Sequence, residues 1–137
     1  MYKCKYFDIE ELVPKETLDS IGEAESWKLI DEKLLEVIDF IREGVGPLFA
    51  NTWKEDGEFS YRGYRPKSYK GGAPKSQHRL GKALDMHSKK YTAEELRKWI
   101  KENKENLPHN IRVESGVNWL HVDVHPGNKE KLYFFKP

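Results

Sequence analysis

The sequence predicts an α+β fold in which helices pack on an antiparallel sheet. Apolar residues recur at three- and four-residue steps over residues 26–43 and again within 92–103, a period typical of helices with one buried face. Three short stretches after the second of these helices are rich in β-forming residues and separated by glycine-containing turns, which is typical of paired strands. The length of 137 residues favours a single domain spanning residues 1–137.

Composition narrows the classes of function. The 24 Lys and Arg residues nearly balance the 23 Asp and Glu residues, which argues against a nucleic-acid or anionic-membrane surface. No apolar run reaches the roughly 20 residues that span a bilayer, and the N-terminus lacks the apolar segment of a secretory signal. The single cysteine, Cys4, has no internal disulfide partner. We therefore expect a monomer that is synthesised in the cytoplasm without a signal peptide.

The first two predicted helices carry start signals. Asp8 lies three residues before Glu11, which is the spacing of a capping box. A short helix is therefore predicted to begin at Asp8, within residues 8–13. Residues 26–43 form the strongest helical pattern, with Ser26 as the expected N-cap. We expect the apolar stripe of this second helix to pack on the domain's own core.

The middle of the chain is predicted to form a hairpin and a loop. Residues 48–53 and 59–64 are predicted strands on either side of a turn at 54–58. Residues 65–75 are rich in Arg, Lys, Gly and Pro, a composition typical of loops.

The second half of the chain alternates strand and helix signals. Residues 81–87 have the apolar content of a short buried strand, and residues 92–103 form a helix with Thr92 and Glu95 in capping-box positions. The last three predicted strands are residues 110–114, 118–125 and 131–135.

Polar residues fall on one face of two of these strands. Because side chains alternate along a strand, Asp85 shares a face with Ala83. The strand at 118–125 places three residues on one face: Trp119, His121 and Asp123.

Zinc prefers imidazole and carboxylate ligands, and a catalytic zinc site typically uses three of them. The candidate ligands are His78, Asp85 and His121. The alternative is that each histidine is a surface or hydrogen-bonded residue.

Two motifs occur in order along the chain. The first, Ser-x-His-x-x-Gly-x-Ala-x-Asp, covers residues 76–85, and the second, Trp-x-His-x-Asp, covers residues 119–123. Upstream stand RGYRP at 62–66 and GGAPKSQH at 71–78. In these motifs, and in its opening YFDIEEL, the chain resembles the zinc D-Ala-D-Ala carboxypeptidase family of cell-wall peptidases, particularly the smaller, often phage-encoded members. This family shares its fold with lysostaphin-type peptidases and the Hedgehog signalling domain.

The resemblance implies a zinc metallopeptidase acting on peptidoglycan stem peptides, as a D-Ala-D-Ala carboxypeptidase or an endopeptidase, after release or export to the cell wall. It implies zinc held by His78, Asp85 and His121. It also implies that Arg65 binds a substrate carboxylate or carbonyl, a role that suits a planar guanidinium, whereas the alternative for Arg65 is a loop-stabilising salt bridge. The other candidate substrate-binding residues lie within the motifs: Ser76 and Trp119.

The general base departs from the family pattern. Many relatives carry Glu or Asp three residues before the last zinc histidine, where this chain has Asn118, which cannot accept a proton from water. Glu114 is favoured, because a hairpin loop at 115–118 would place it on the His121 face, within reach of a water. A tighter turn would place Glu114 farther from His121. Asp123 is the rival, although it has an alternative role in orienting a ligand.

Two further possibilities follow from the same stretch. His125 is a weaker candidate for transition-state stabilisation or for an alternative metal ligand. Asn118 at the usual base position motivates a competing hypothesis, in which the chain is a noncatalytic, zinc-stabilised domain that binds the cell wall or another protein.

Overall fold

Three helices and four strands make up the chain, which a computed structural model describes over residues 1–137. The helices are α1 (Lys15–Trp27), α2 (Glu32–Val45) and α3 (Ala93–Glu102). The strands are β1 (Ala83–Met86), β2 (Ile111–Glu114), β3 (Leu120–Asp123) and β4 (Leu132–Phe135). Short 3₁₀ turns lie at Ile9–Glu11, Trp53–Glu55, Gln77–Leu80 and Lys104–Asn106. The predicted α+β class is confirmed, and no helix is long and apolar enough to cross a membrane.

The four strands form one mixed sheet in the order β1-β3-β2-β4. The prediction of an antiparallel sheet holds for β1–β3 and β2–β3 but is wrong for β2–β4, which is parallel. The reason is topological: β4 reverses direction after β3, and β1 already occupies the other side of β3. β4 therefore adds beside β2, with which it shares its direction.

One face of the sheet is apolar and packs against the helices. Its residues belong to a single cluster of 23 buried apolar residues, which also includes the inner faces of α2 and α3. The sheet residues of this cluster include Leu84, Met86, Val113, Leu120 and Val122. Alternation then directs the intervening residues to the opposite face. That polar face carries Asp85, Arg112, Glu114, His121 and Asp123.

The predicted helix at 26–43 merges parts of two helices. α2 begins only at Glu32, and its N-cap is Asp31, whose side chain accepts a hydrogen bond from the backbone N–H of Lys33 at 2.8 Å. Ser26 instead lies buried near the end of α1, which the sequence did not predict. A break at Gly22, with a φ of 82°, interrupts the regular helical pattern of α1.

The predicted strands at 48–53 and 59–64 are wrong. The first forms only an isolated antiparallel bridge, between Phe49 and His87, and the second is irregular. The side chain of Asn51, rather than a ladder of backbone hydrogen bonds, connects the two segments. This buried side chain donates to the Val13 carbonyl at 3.0 Å and accepts from the backbone N–H of Arg62 at 2.9 Å. Tertiary partners rather than strand pairing hold this segment.

The second half of the chain follows the prediction closely. Strands β1 to β4 lie within the four predicted stretches, and α3 has the predicted capping box, with both Thr92–Glu95 hydrogen bonds present. Residues 65–75 are irregular, as expected for a loop. The irregular segment and this loop run beside β1, since the backbone N–H of Asp85 donates to the Arg62 carbonyl at 2.8 Å. They border the polar face of the sheet.

Candidate metal centre

Three buried side chains converge on the polar face: His78, Asp85 and His121. Their candidate ligand atoms all lie within 4.8 Å of one another. Asp85 Oδ1 lies 3.3 Å from His78 Nε2 and 2.8 Å from His121 Nδ1. Two ligands of a tetrahedral zinc ion, each at about 2.0–2.1 Å from the metal, are about 3.3 Å apart. The two Asp85 distances therefore differ from this spacing by about half an ångström or less, and the cluster could hold a metal ion.

Sheet register explains two of the three positions. Asp85 and His121 are direct partners in the antiparallel β1–β3 pair, so their side chains project side by side on the polar face. The third, His78, comes from the 3₁₀ turn Gln77–Leu80 that precedes β1.

Ser76 and Gly81 shape the turn that delivers His78. The Ser76 hydroxyl accepts a hydrogen bond from the backbone N–H of His78 at 3.2 Å, so it caps the turn, and Ser76 also lines the cavity beside the candidate ligands. Gly81 ends the turn with a φ of 69°, and a Cβ atom here would lie 1.8 Å from the Leu29 carbonyl oxygen. Only glycine fits this close approach, which leads the chain directly into β1.

Two hydrogen bonds select the ring nitrogens that face the cluster. Nδ1 of His78 lies 2.9 Å from the Gly63 carbonyl, to which it donates, so Nε2 is the nitrogen directed at Asp85. Nε2 of His121 lies 2.8 Å from Asp123 Oδ2, so Nδ1 is directed at Asp85. Such outer hydrogen bonds fix the tautomer and orientation of metal-binding histidines. The two bonds therefore leave one nitrogen of each ring directed at Asp85.

The charges of the cluster also suit a cation. Burial opposes ionisation of Asp85, but hydrogen bonds from His121 and His78 outweigh it and hold the pKa of this carboxyl well below its usual range. Burial likewise opposes a charged His121, yet the bonds to Asp123 and Asp85 raise its pKa to about 9. Asp123 and Asp85 therefore stabilise positive charge on the His121 ring, and a metal bound at Nδ1 would replace the proton there.

Asp123 is occupied on both oxygens. Oδ1 accepts from Arg112 Nε at 2.8 Å and from the backbone N–H of His125 at 3.2 Å. Oδ2 accepts from Arg112 Nη2 at 2.9 Å and from His121 Nε2 at 2.8 Å. The residue is 0% exposed, and four bonds use the lone pairs of a carboxylate. This geometry favours an orienting role for Asp123 over proton transfer.

Glu114 lies nearer the candidate ligands than either loop geometry considered from the sequence would place it. In the β2–β3 pair Arg112 faces Asp123 and Val113 faces Val122, so continuation by one residue places Glu114 beside His121. The Glu114 side chain is partly exposed and lines a cavity of about 460 Å³ together with His78, Asp85 and His121. Its carboxylate, unlike that of Asp123, has no hydrogen bond or ion pair within the chain.

Arg65 borders the cluster and is itself held in place. Its Nε donates to the Tyr61 carbonyl at 2.9 Å, and its Nη2 lies 3.6 Å from Asp85 Oδ2. The salt bridge considered as an alternative is thus present, and it positions the guanidinium on the cavity wall beside the candidate ligands.

The remaining candidates separate into two groups. Trp119 and His125 line the same cavity, although His125 is not among the residues with metal-ligand spacing. The ring of His125 instead accepts a hydrogen bond from the backbone N–H of Gly127 at 2.9 Å. Asn118 is exposed and borders a different cavity, beside α3.

Comparisons of the chain with protein-family models, with curated proteins and with solved structures find no match. The resemblance to cell-wall peptidases therefore remains a prediction from the two motifs.

Sequence reasoning missed Arg97, a buried residue of α3 that is 6% exposed. Its guanidinium donates to three carbonyls of the β2–β3 connection: Glu114 at 3.3 Å, Trp119 at 3.2 Å and Val117 at 2.9 Å. An arginine on a polar-rich amphipathic helix looks solvent-exposed in the sequence, and no local pattern reveals these partners. Arg97 thus holds the connection that follows Glu114, the last residue of β2.

Proposed function

We propose that this chain is a zinc-dependent peptidase that hydrolyses a peptide bond of bacterial peptidoglycan. One observation carries the proposal: a buried His78–Asp85–His121 cluster faces a cavity in which Glu114 has no partner. The motif resemblance supports zinc as the metal and the stem peptide as the substrate. Its place of action would be the cell wall, reached by release or export.

The candidate ligands and Glu114 would have separate roles in the reaction. His78, Asp85 and His121 would hold zinc, which when bound would polarise the scissile carbonyl and lower the pKa of a water. Glu114 would accept a proton as the water oxygen attacks the carbonyl carbon. The same carboxyl would then donate that proton to the departing amine nitrogen as the C–N bond breaks. The reaction needs no covalent intermediate with the protein.

Two neighbouring residues support this chemistry without accepting the proton. Asp123 fixes the ring of His121 from behind, through the 2.8 Å bond to Nε2. Arg65, which lies beside Asp85 on the cavity wall, would orient a substrate carbonyl or carboxylate.

Incubation of the zinc-loaded protein with purified peptidoglycan, followed by mass spectrometry of the fragments, tests the proposal. We expect new peptide termini with the wild-type protein and at least about 100-fold slower product formation with Glu114→Gln. Glu130→Gln, at an exposed residue outside the cavity, is the matched control and should cleave like the wild type. Intact muropeptides from several cross-link types, with zinc bound, would overturn the assignment.

The noncatalytic binding domain is the second candidate function. The observation that favours it is Asn118, which replaces the usual acidic residue and borders a cavity separate from the candidate ligands. This hypothesis expects chelation to destabilise the protein, and no turnover under any condition. A parent protein with activity that Glu114→Gln abolishes would exclude it.

A further inference from the structure

A second cavity, of about 280 Å³, opens beside the candidate metal centre. We call it the aromatic cavity because its walls include the rings of Phe59, Tyr61, Tyr69 and Trp119. Arg65, Asp85 and Trp119 line both this cavity and the one that contains Glu114. The two cavities therefore adjoin at the candidate metal centre. A peptide with its scissile bond at the centre can extend one flank into the aromatic cavity.

Arg62 is the distinctive residue of the aromatic cavity. Its guanidinium carbon lies 3.8 Å from the centroid of the Phe59 ring and 6.0 Å from that of Trp119. Its backbone is fixed on both sides, because its N–H donates to Asn51 at 2.9 Å and its carbonyl accepts from the N–H of Asp85 at 2.8 Å. The side chain is thus presented from a rigid segment directly beside β1.

The guanidinium of Arg62 has no acceptor within the chain. The other arginines that line the two cavities differ, since Arg65 and Arg112 both lie beside a carboxylate. Glu58 also lines the aromatic cavity, but it is exposed and forms no ion pair with Arg62. The Arg62 side chain is partly buried, and this partial removal of its charge from water lowers the pKa of the guanidinium.

A desolvated guanidinium with five unused donors favours a planar anion that can accept two parallel hydrogen bonds. We propose that Arg62 binds a carboxylate of the substrate peptide, next to the scissile bond, while the aromatic rings pack against the apolar atoms of the same peptide residue. Arg62 would thereby select substrates with a free carboxylate over those in which it is amidated. The identity of this ligand as a substrate rests on the proposed function.

Binding can be measured independently of turnover. Two forms of one stem peptide, with a free carboxylate beside the scissile bond or with that group amidated, would be titrated calorimetrically into zinc-loaded Glu114→Gln protein. The same titration would use the double variants with Arg62→Gln and Arg62→Lys. A double variant with Lys67→Gln, at an exposed loop residue that lines neither cavity, is the matched control.

We expect the free acid to bind about tenfold more tightly than the amide, as a charge-assisted bidentate contact would produce. This preference should appear with the Glu114→Gln protein and with its Lys67→Gln double variant. Arg62→Gln should abolish this preference, and Arg62→Lys should retain part of it because the charge remains but the planar fork is lost. Equal binding of the two forms to the parent, no binding of either, or a preference that survives Arg62→Gln would overturn the inference.

A separate hydrolysis assay with the wild-type protein distinguishes the two proposals. Preferential binding of the free acid through Arg62 without any cleavage would contradict the proposed function and leave the carboxylate site intact. Cleavage of both forms with equal efficiency, by the wild type and by Arg62→Gln, would support the peptidase and contradict the carboxylate site.

Discussion

Two adjacent rows of side chains cross the polar face of the sheet, and they differ in how their charges are used. The ligand row joins two register pairs, Asp85 with His121 in β1–β3 and Glu114 with Phe135 in β2–β4. The β2–β3 register, continued by one residue, places the two pairs side by side. The support row, two residues away along each strand, runs Ala83, Asp123, Arg112 and Tyr133.

Every oxygen of the support-row carboxylate is bonded, whereas the ligand row has a carboxylate without a partner at Glu114. A carboxylate saturated by hydrogen bonds holds its neighbours in position, and one without partners remains available for proton transfer. Residue type alone does not separate these roles. The hydrogen-bond partners of each carboxylate decide them.

The largest expected effect is on the ligand row. Glu114→Gln should lower kcat by about 10²–10⁴-fold, because the amide cannot accept the proton of the attacking water. Zinc affinity and thermal stability should stay at wild-type values, since Glu114 has no partner to lose. Steady-state kinetics with zinc calorimetry check both. An equal loss of activity and of zinc affinity would place Glu114 among the metal ligands instead.

Removal of the metal should have the next largest effect. Zinc at about a thousand times its dissociation constant stabilises the folded state by about 4 kcal/mol, and chelation removes that contribution. The buried charges of Asp85 and His121 would then remain without a metal between them. Thermal unfolding with and without chelator measures the difference, and readdition of zinc should restore the original midpoint. An unchanged midpoint would contradict a folded-state metal site.

The support row should respond differently. Asp123→Asn should weaken zinc binding by about 10–100-fold, the usual consequence of losing an outer hydrogen bond to a ligating histidine. Activity at saturating zinc should fall much less than with Glu114→Gln. Zinc titrations and kinetics at several zinc concentrations separate these effects. A loss of activity that excess zinc does not restore, with unchanged affinity, would make Asp123 the base.

The sequence predicted the second half of the fold and the candidate ligands because their signals are local. Alternation along β1 and β3 brings Asp85 and His121 to one face, and the Thr92–Glu95 capping box begins α3. Local structure can be predicted from the sequence where neighbouring residues determine each other's conformation.

The errors occur where distant residues decide. The side chain of Asn51 fixes the segment at 59–64 through hydrogen bonds to other parts of the chain, so strand-like composition was misleading there. The position of Glu114 depends on the β2–β3 connection, which Arg97 holds from α3. The unpaired state of Glu114 and the four bonds of Asp123 likewise require the folded chain.

Arg97 offers the smallest and most specific test of the comparison. Arg97→Met should lower kcat by about tenfold and stability by roughly 2–3 kcal/mol, because three loop carbonyls lose a charged donor. Zinc affinity should be preserved, since none of the candidate ligands touches this side chain. Lys98→Met, at the next and exposed position of α3, is the matched control and should change neither quantity.

The central claim is that His78, Asp85 and His121 form one metal site. Calorimetric titration of zinc into the metal-free wild-type protein and into Asp85→Asn tests it most directly. We expect a single tight site per chain in the wild type and a loss of at least about 100-fold in affinity with Asp85→Asn, in which the charged ligand is removed. Absence of tight binding to the wild type, or equal affinity in Asp85→Asn, would contradict the claim.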